Sequence, residues 1–166
     1  TGVRWIRRPF DISDEWFAEA RLPTDADWRG LYTRAFARLR LVFADAVRTV
    51  VESDGPLVFG CWAGKDRTGM VAALLLSLFG ADDASIAADY EQTTAGLLPF
   101  EDEFSFLGPN DTELRRALFR AWSEARAPVI QGFLRDVRRR YGSVADALEL
   151  PEASLAGLRS ALLTPA

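Results

Sequence analysis

Apolar residues recur at helical spacing over much of this chain. Between residues 28 and 52, Leu31, Ala35, Leu39, Val42, Ala46 and Val50 fall on one stripe, which predicts a long helix with one buried face. Asp25-Ala26-Asp27 just ahead of it offers the cap. A nearly continuous apolar run over 70–79 predicts a buried helix; Gly80-Ala81-Asp82-Asp83 ends it and caps another that reaches about Thr93. After Leu97 the pattern is less regular, and helices are then expected over 111–125, 127–140, 143–149 and 152–163. Two short runs read as strands: residues 3–6, and residues 57–59 after the turn at Asp54-Gly55-Pro56. Strands alternating with helices predict an α/β fold, a parallel-containing sheet flanked by helices. With no repeat, low-complexity tract or linker, residues 1–166 are expected to form one domain.

Composition narrows the function classes. Hydrophobic content of 49%, with eleven Phe and five Trp, marks a globular chain rather than a disordered one. A net charge of −4 gives no support to nucleic-acid binding. One cysteine excludes an internal disulfide, which favours a reducing, cytoplasmic setting. No stretch approaches the roughly 20 apolar residues of a transmembrane helix. The start has no charged-then-apolar leader pattern, although a segment lost ahead of Thr1 could have carried one. The chain has no histidine, so Ser/His and Cys/His hydrolase mechanisms are excluded.

The candidate chemistry is concentrated in residues 60–69, Gly-Cys-Trp-Ala-Gly-Lys-Asp-Arg-Thr-Gly, which hold both the single cysteine and the single lysine. Five residues between Cys61 and Arg67 let the backbone curl once around a tetrahedral anion, with successive N–H groups of residues 62–67 pointing inward. A helix starting near Thr68 adds its unpaired N–H groups and its positive end. Arg67 closes the ring with a planar fork suited to two phosphate oxygens. The same field stabilises a thiolate, so Cys61 should titrate below the roughly 8.5 of a free thiol. It is placed to attack phosphorus in line, and the Thr68 hydroxyl can donate to the sulfur when it leaves. A buried structural cysteine would not need this Gly64, Lys65, Arg67 and Thr68 context. A nucleotide-binding Gly-x4-Gly-Lys-Ser/Thr loop fails at Phe59, where glycine is required, and at Asp66, where the magnesium-binding hydroxyl belongs.

This run closely resembles the Cys-x5-Arg-Thr signature of the cysteine-dependent protein tyrosine phosphatases. The form Cys-x-Ala-Gly-Lys-Asp-Arg-Thr-Gly is similar to that of the bacterial tyrosine/lipid phosphatase branch. Arg8-Pro9-Phe10-Asp11, Ala87-Ala88-Asp89-Tyr90 and Tyr141-Gly142-Ser143 also resemble segments of that branch, so most of the chain is covered. The resemblance implies a tyrosine-phosphatase-like domain whose first strands are absent, since neither an Arg-Asp-x-Gly-Gly segment nor an Asp-Leu-Arg strand is present. It implies phosphomonoester hydrolysis through a cysteinyl-phosphate, on phosphotyrosine proteins or phosphoinositides, without a metal or organic cofactor. Gly60 stands where the family normally has a histidine that keeps the thiol acidic. That departure leaves two alternatives open: a non-catalytic phosphate-binding module, and an enzyme for a small phosphorylated metabolite.

The leaving oxygen needs a proton, normally from a carboxylic acid. By resemblance Asp11 falls where the family's mobile acid loop lies, with Asp14 and Asp27 as weaker choices. Asp66 is closer to the anion and is read either as a proton carrier or as a group orienting Arg67, Lys65 or a substrate hydroxyl. Lys65 either meets a second phosphate, as resemblance to lipid-active members implies, or supports the thiolate. Trp62 forms a pocket wall or packs beneath the loop, and Ala63 and Gly64 contribute amides to the cradle. Residues 97–106, which mix aromatics and acids, are read as a lid or a fixed surface loop. Arg138-Arg139-Arg140 is a solvated helix face or an acidic-lipid contact. Oligomeric state is not legible.

Overall fold

In the computed structural model, residues 2, 4–8, 23–53, 55–102, 112–151 and 155 are described. Their regular elements are helices α1 (Asp25–Val51), α2 (Asp66–Leu78), α3 (Asp83–Leu97), a 3-10 turn (Leu98–Phe100), α4 (Thr112–Ser123), α5 (Ala127–Tyr141) and α6 (Val144–Leu148). Residue 3 of the first expected strand, the acids Asp11 and Asp14, residues 103–106 of the expected lid and most of the 152–163 helix lie outside the described residues.

The expected parallel-containing sheet is overturned. No strand occurs among the described residues, and neither 4–6 nor 57–59 pairs with a neighbour in a ladder. An extended run becomes a strand only when another chain segment takes up its N–H and C=O groups. Here both runs lie at the surface instead, with Trp5 88% and Val58 98% exposed. Apolar, β-branched composition marked these runs as candidates, but pairing is a property of a partner.

The helices follow their sequence signals closely. Thr24, ahead of the expected Asp25-Ala26-Asp27, caps α1: its side chain accepts from Asp27 N–H while Asp27 Oδ2 accepts from Thr24 N–H at 2.8 Å. This reciprocal capping box engages Asp27, one of the candidate acids. A non-helical Leu39 (φ −110°, ψ 20°) interrupts α1. Past it the core takes Phe43, Ala44 and Val47, while Val42 of the expected stripe stays half-buried. Asp82 caps α3 by accepting from the N–H groups of Ala84 and Ser85 at 2.9 Å each. Gly142, at φ 89°, ends α5 in a backbone region that glycine tolerates best.

Helix α5 is central, packing against α1, α3 and α6. It presents Val129, Ile130, Phe133, Leu134 and Val137 on one buried face. Phe133 meets Tyr32 and Phe36 of α1 edge-on, with centroids 6.3 and 5.6 Å apart. Helix α2 is buried on most sides, which explains why its apolar run shows so little polar interruption. No helix among the described residues is long and apolar enough to cross a membrane.

Charged clamps fix these helices. Arg29 of α1 donates to both oxygens of Asp136 on α5, at 2.7 and 2.6 Å, and the Thr33 hydroxyl adds a third donor at 3.1 Å. The arginine stem crosses Gly132, where a Cβ would lie 2.6 Å from Arg29 Cδ. Arg138 donates to both oxygens of Asp83 at 2.8 Å, and Arg139 reaches Asp136 at 3.1 Å. Two arginines of the 138–140 run are thus tied to the protein's own acids.

The Arg29 hydrogen bond holds the Asp136 carboxyl below its ordinary range, against a smaller upward push from burial; Thr33 also lowers it. A lowered folded-state value stabilises the fold above the unfolded carboxyl's pKa, near 4. That contribution disappears as pH falls through the lower folded value. Asp136→Asn is therefore expected to lower Tm at pH 7, with the gap from wild type closing on acidification below about pH 4. Thermal unfolding across pH checks this, and a gap independent of pH would count against the charge-based clamp.

Candidate active site

Cys61 ends the extended run ahead of α2, and residues 62–65 bend the chain back into the first turn of that helix. Gly64 makes the bend possible at φ 71°, a conformation in which a side chain is strained. The Gly69 N–H then bonds the Lys65 carbonyl at 2.7 Å, the first closure of the helix. The half-buried sulfur thus sits at the N-terminal end of α2, where unpaired N–H groups gather.

Burial pushes the Cys61 thiol up. The Thr68 hydroxyl and the N–H groups of Thr68, Gly64 and Ala63 push it down by more, so the net shift is below the ordinary cysteine range. Thr68 Oγ1 is buried with no hydrogen-bond partner among the described residues, so its proton is available to turn toward the sulfur, the direction that lowers the thiol. A thiol lowered by several donors is more readily ionised than a free cysteine. At Gly60, where a family histidine was expected, an added Cβ would meet nothing within 4 Å. Steric exclusion therefore does not explain the glycine.

The other expected site residues occupy distinct places around the loop. Arg67 is half-buried in the first turn of α2 and Ala63 packs against the core. Trp62 is 65% exposed at the rim, its ring 6.2 Å from that of Trp122. Lys65 is turned inward and only 1% exposed. Its ammonium lies 3.8 Å from the centre of the Trp28 ring, donates to the Trp122 carbonyl, and sits 3.7 Å from Asp66 Oδ1. The ammonium thus ties the loop to α1 and α4.

Burial lowers the Lys65 ammonium to about 8, against an opposing pull from Asp66. An unfolded lysine titrates near 10.4. Below pH 8 both states hold the proton and the cost of burying the charge is fully present. Between about 8 and 10.4 the folded lysine is neutral while the unfolded one still binds its proton, so stability rises with pH. Wild type is expected to gain on Lys65→Met by on the order of 2–3 kcal/mol between pH 7 and pH 10. Urea unfolding of both proteins at the two pH values measures the gain; parallel curves would mean that the ammonium is not desolvated.

Two residues with no expected role complete the site. Tyr32 of α1 donates its phenol to Asp66 Oδ1 at 2.6 Å, and the Tyr90 hydroxyl of α3 lies 2.7 Å from the Tyr32 hydroxyl. Gly69 allows this approach, since a Cβ there would fall 2.6 Å from the Tyr90 ring. Tyr90 lies in the Ala-Ala-Asp-Tyr segment that resembles the family; nothing in the sequence pattern pointed to Tyr32, which follows Leu31 of the apolar stripe. A cavity of about 320 Å³ between α2 and α3 adjoins the loop at Gly64 and Thr68 and is lined further by Asp89, Gln92 and Thr93.

The tyrosine phosphatase family model matches residues 5–164. A Cupriavidus necator protein assigned to the tyrosine-protein phosphatases is 33% identical over 132 residues, covering 72% of this chain and 45% of that protein. The triple specificity protein phosphatase PtpB of Mycobacterium tuberculosis is 41% identical over 73 residues, 44% of this chain and 25% of its own length. A tyrosine-protein phosphatase of Nostoc commune is 49% identical over 43 residues, 26% of this chain and 15% of its own length. The matched segment spans less than half of each relative.

Proposed function

From the premise that this chain belongs to the tyrosine phosphatase family, we propose that it hydrolyses phosphomonoesters through a cysteinyl-phosphate intermediate. Phosphotyrosine proteins and phosphoinositides are the proposed substrates. The observation that carries the reading is the Cys61 thiol held low by the Thr68 hydroxyl and by N–H groups at the start of α2, against the upward push of burial.

The Cys61 thiolate attacks phosphorus and the ester oxygen departs on the opposite side. Amides of residues 62–67 and the Arg67 guanidinium hold the three remaining oxygens as charge builds on them. Asp11, assigned on the resemblance of its segment, gives its proton to the departing oxygen. In the second step Asp11 takes a proton from water, the water oxygen bonds phosphorus, and the P–S bond breaks with its electrons returning to sulfur. The Thr68 hydroxyl stabilises the thiolate as it leaves. Because the cradle and Arg67 supply the positive field, the reading requires no metal or organic cofactor. Trp62 forms one wall of the entrance, and Lys65 and Asp66 support the loop from beneath.

The absence of histidine, with Gly60 ahead of the nucleophile, favours one other reading: a module that binds phosphorylated partners without turnover. Hydrolysis of an aryl phosphate in excess chelator, followed on the millisecond scale, separates the two. A phenol burst equal to the protein concentration, followed by steady turnover, is the expected result. No phenol release, with inorganic phosphate still bound, would replace the hydrolase by the binding module.

A further inference from the structure

The two phenols form a directed chain whose end is the loop. Tyr32 has one proton and uses it on Asp66 Oδ1, so Tyr90 must be the donor in the contact between the two hydroxyls. Burial, followed by the Asp66 charge, pushes the Tyr32 phenol far up; burial raises Tyr90 as well, so both keep their protons. Tyr32 is fully buried and Tyr90 nearly so. Gly69 reserves the space the Tyr90 ring needs. Helices α1 and α3 therefore deliver two hydrogen-bond donors, in series, to the first residue of α2.

A carboxylate at the first position of a helix has the unpaired N–H groups of the first turn within reach. Those groups include the Thr68 N–H that holds Cys61 low. A free Asp66 side chain would compete with the sulfur for them and bring negative charge toward the bound anion. Tyr32, with the Lys65 ammonium on the same oxygen, keeps the carboxylate turned to the interior.

We propose that Tyr32 and Tyr90 are positioning residues that hold the Asp66 carboxylate away from the phosphate cradle and so reserve its amides for Cys61 and the substrate. This rests on the cysteinyl-phosphate reading. The test is the pH midpoint of Cys61 alkylation by iodoacetamide in wild type, Tyr32→Phe and Tyr90→Phe, alongside aryl phosphate kinetics and Tm. Tyr32→Phe is expected to raise the midpoint by about one pH unit. It should also lower kcat about tenfold with KM little changed, as befits an interaction felt at the transition state. Tyr90→Phe removes only the outer oxygen and should move the midpoint in the same direction by less.

A purely structural role would lower Tm and leave the midpoint alone, and an unmoved midpoint in Tyr32→Phe overturns the proposal. If Tyr32→Phe does not fold, Tyr90→Phe decides by the same criterion. A wild-type thiol that reacts only above pH 8 removes the nucleophile reading and the proposal with it. A low wild-type midpoint with unmoved variants removes the positioning role alone.

Discussion

Cys61→Ser is expected to reduce aryl phosphate turnover on the order of 10⁴-fold or more, the scale on which losing a nucleophile is felt. Serine nearly matches cysteine in shape, so the bend at Gly64 and the start of α2 should survive the change. What it lacks is ionisation: the donors that bring the thiol below its ordinary range act on a hydroxyl that begins far higher. No histidine exists to take the hydroxyl's proton in place of that ionisation. The cradle amides and Arg67 remain, so inorganic phosphate should bind at least as well as to wild type, with no thiolate to repel it. Steady-state kinetics with calorimetric phosphate binding tests both halves. A serine variant keeping a hundredth of the wild-type rate would place the nucleophile elsewhere.

Arg67→Ala is expected to be nearly as severe, with a loss on the order of 10³-fold in kcat/KM, comparable to removing a preorganised donor from a developing oxyanion. Arg67 lies in the first turn of α2, six residues after the sulfur, and on the proposed mechanism its fork would supply two parallel N–H donors. Arg67→Lys retains a positive charge but not the fork, so it should recover only a small part of the loss. The comparison separates charge from geometry. Recovery by lysine to within about tenfold of wild type would mean that net charge, not two-point recognition, is what the loop requires. Phosphate affinity measured in a Cys61→Ser background shows how much of the arginine's contribution is already present in the ground state.

These expectations rest on a loop that is legible without a structure, because its parts lie within ten consecutive residues. Cysteine, glycine, arginine and threonine at this spacing need only a bend and a helix start to converge, and both are encoded locally by Gly64 and by the apolar run after Gly69. The helices were legible for the same reason. Spacing alone located α2 through α6, with shifts of a few residues at their ends, and the cap of α3 at Asp82. On α1 the cap is Thr24, ahead of the expected Asp25-Ala26-Asp27, so the helix starts about three residues earlier; the buried stripe shifted past Leu39, because the departure from helical geometry there re-aims every later side chain.

Local pattern failed where a second, distant segment had to take part. The runs at 4–6 and 57–59 have strand composition, yet a ladder needs neighbours that the described residues do not provide. Lys65 illustrates the same limit within the site. Beside Arg67 it reads as a second charge for an anion, but Trp28 and the carbonyl of Trp122, 37 residues before it and 57 after, draw its ammonium inward. Tyr32 reaches Asp66 across 34 positions and Tyr90 across 58, separations at which no periodicity carries information. By itself the sequence determined the helices and marked the candidate nucleophile and cradle, since each depends on residues within a few turns of one another. The tertiary structure alone decided which way Lys65 and Asp66 face and which phenols hold them, because a buried charge takes its orientation from whatever donors and rings the folded chain packs around it.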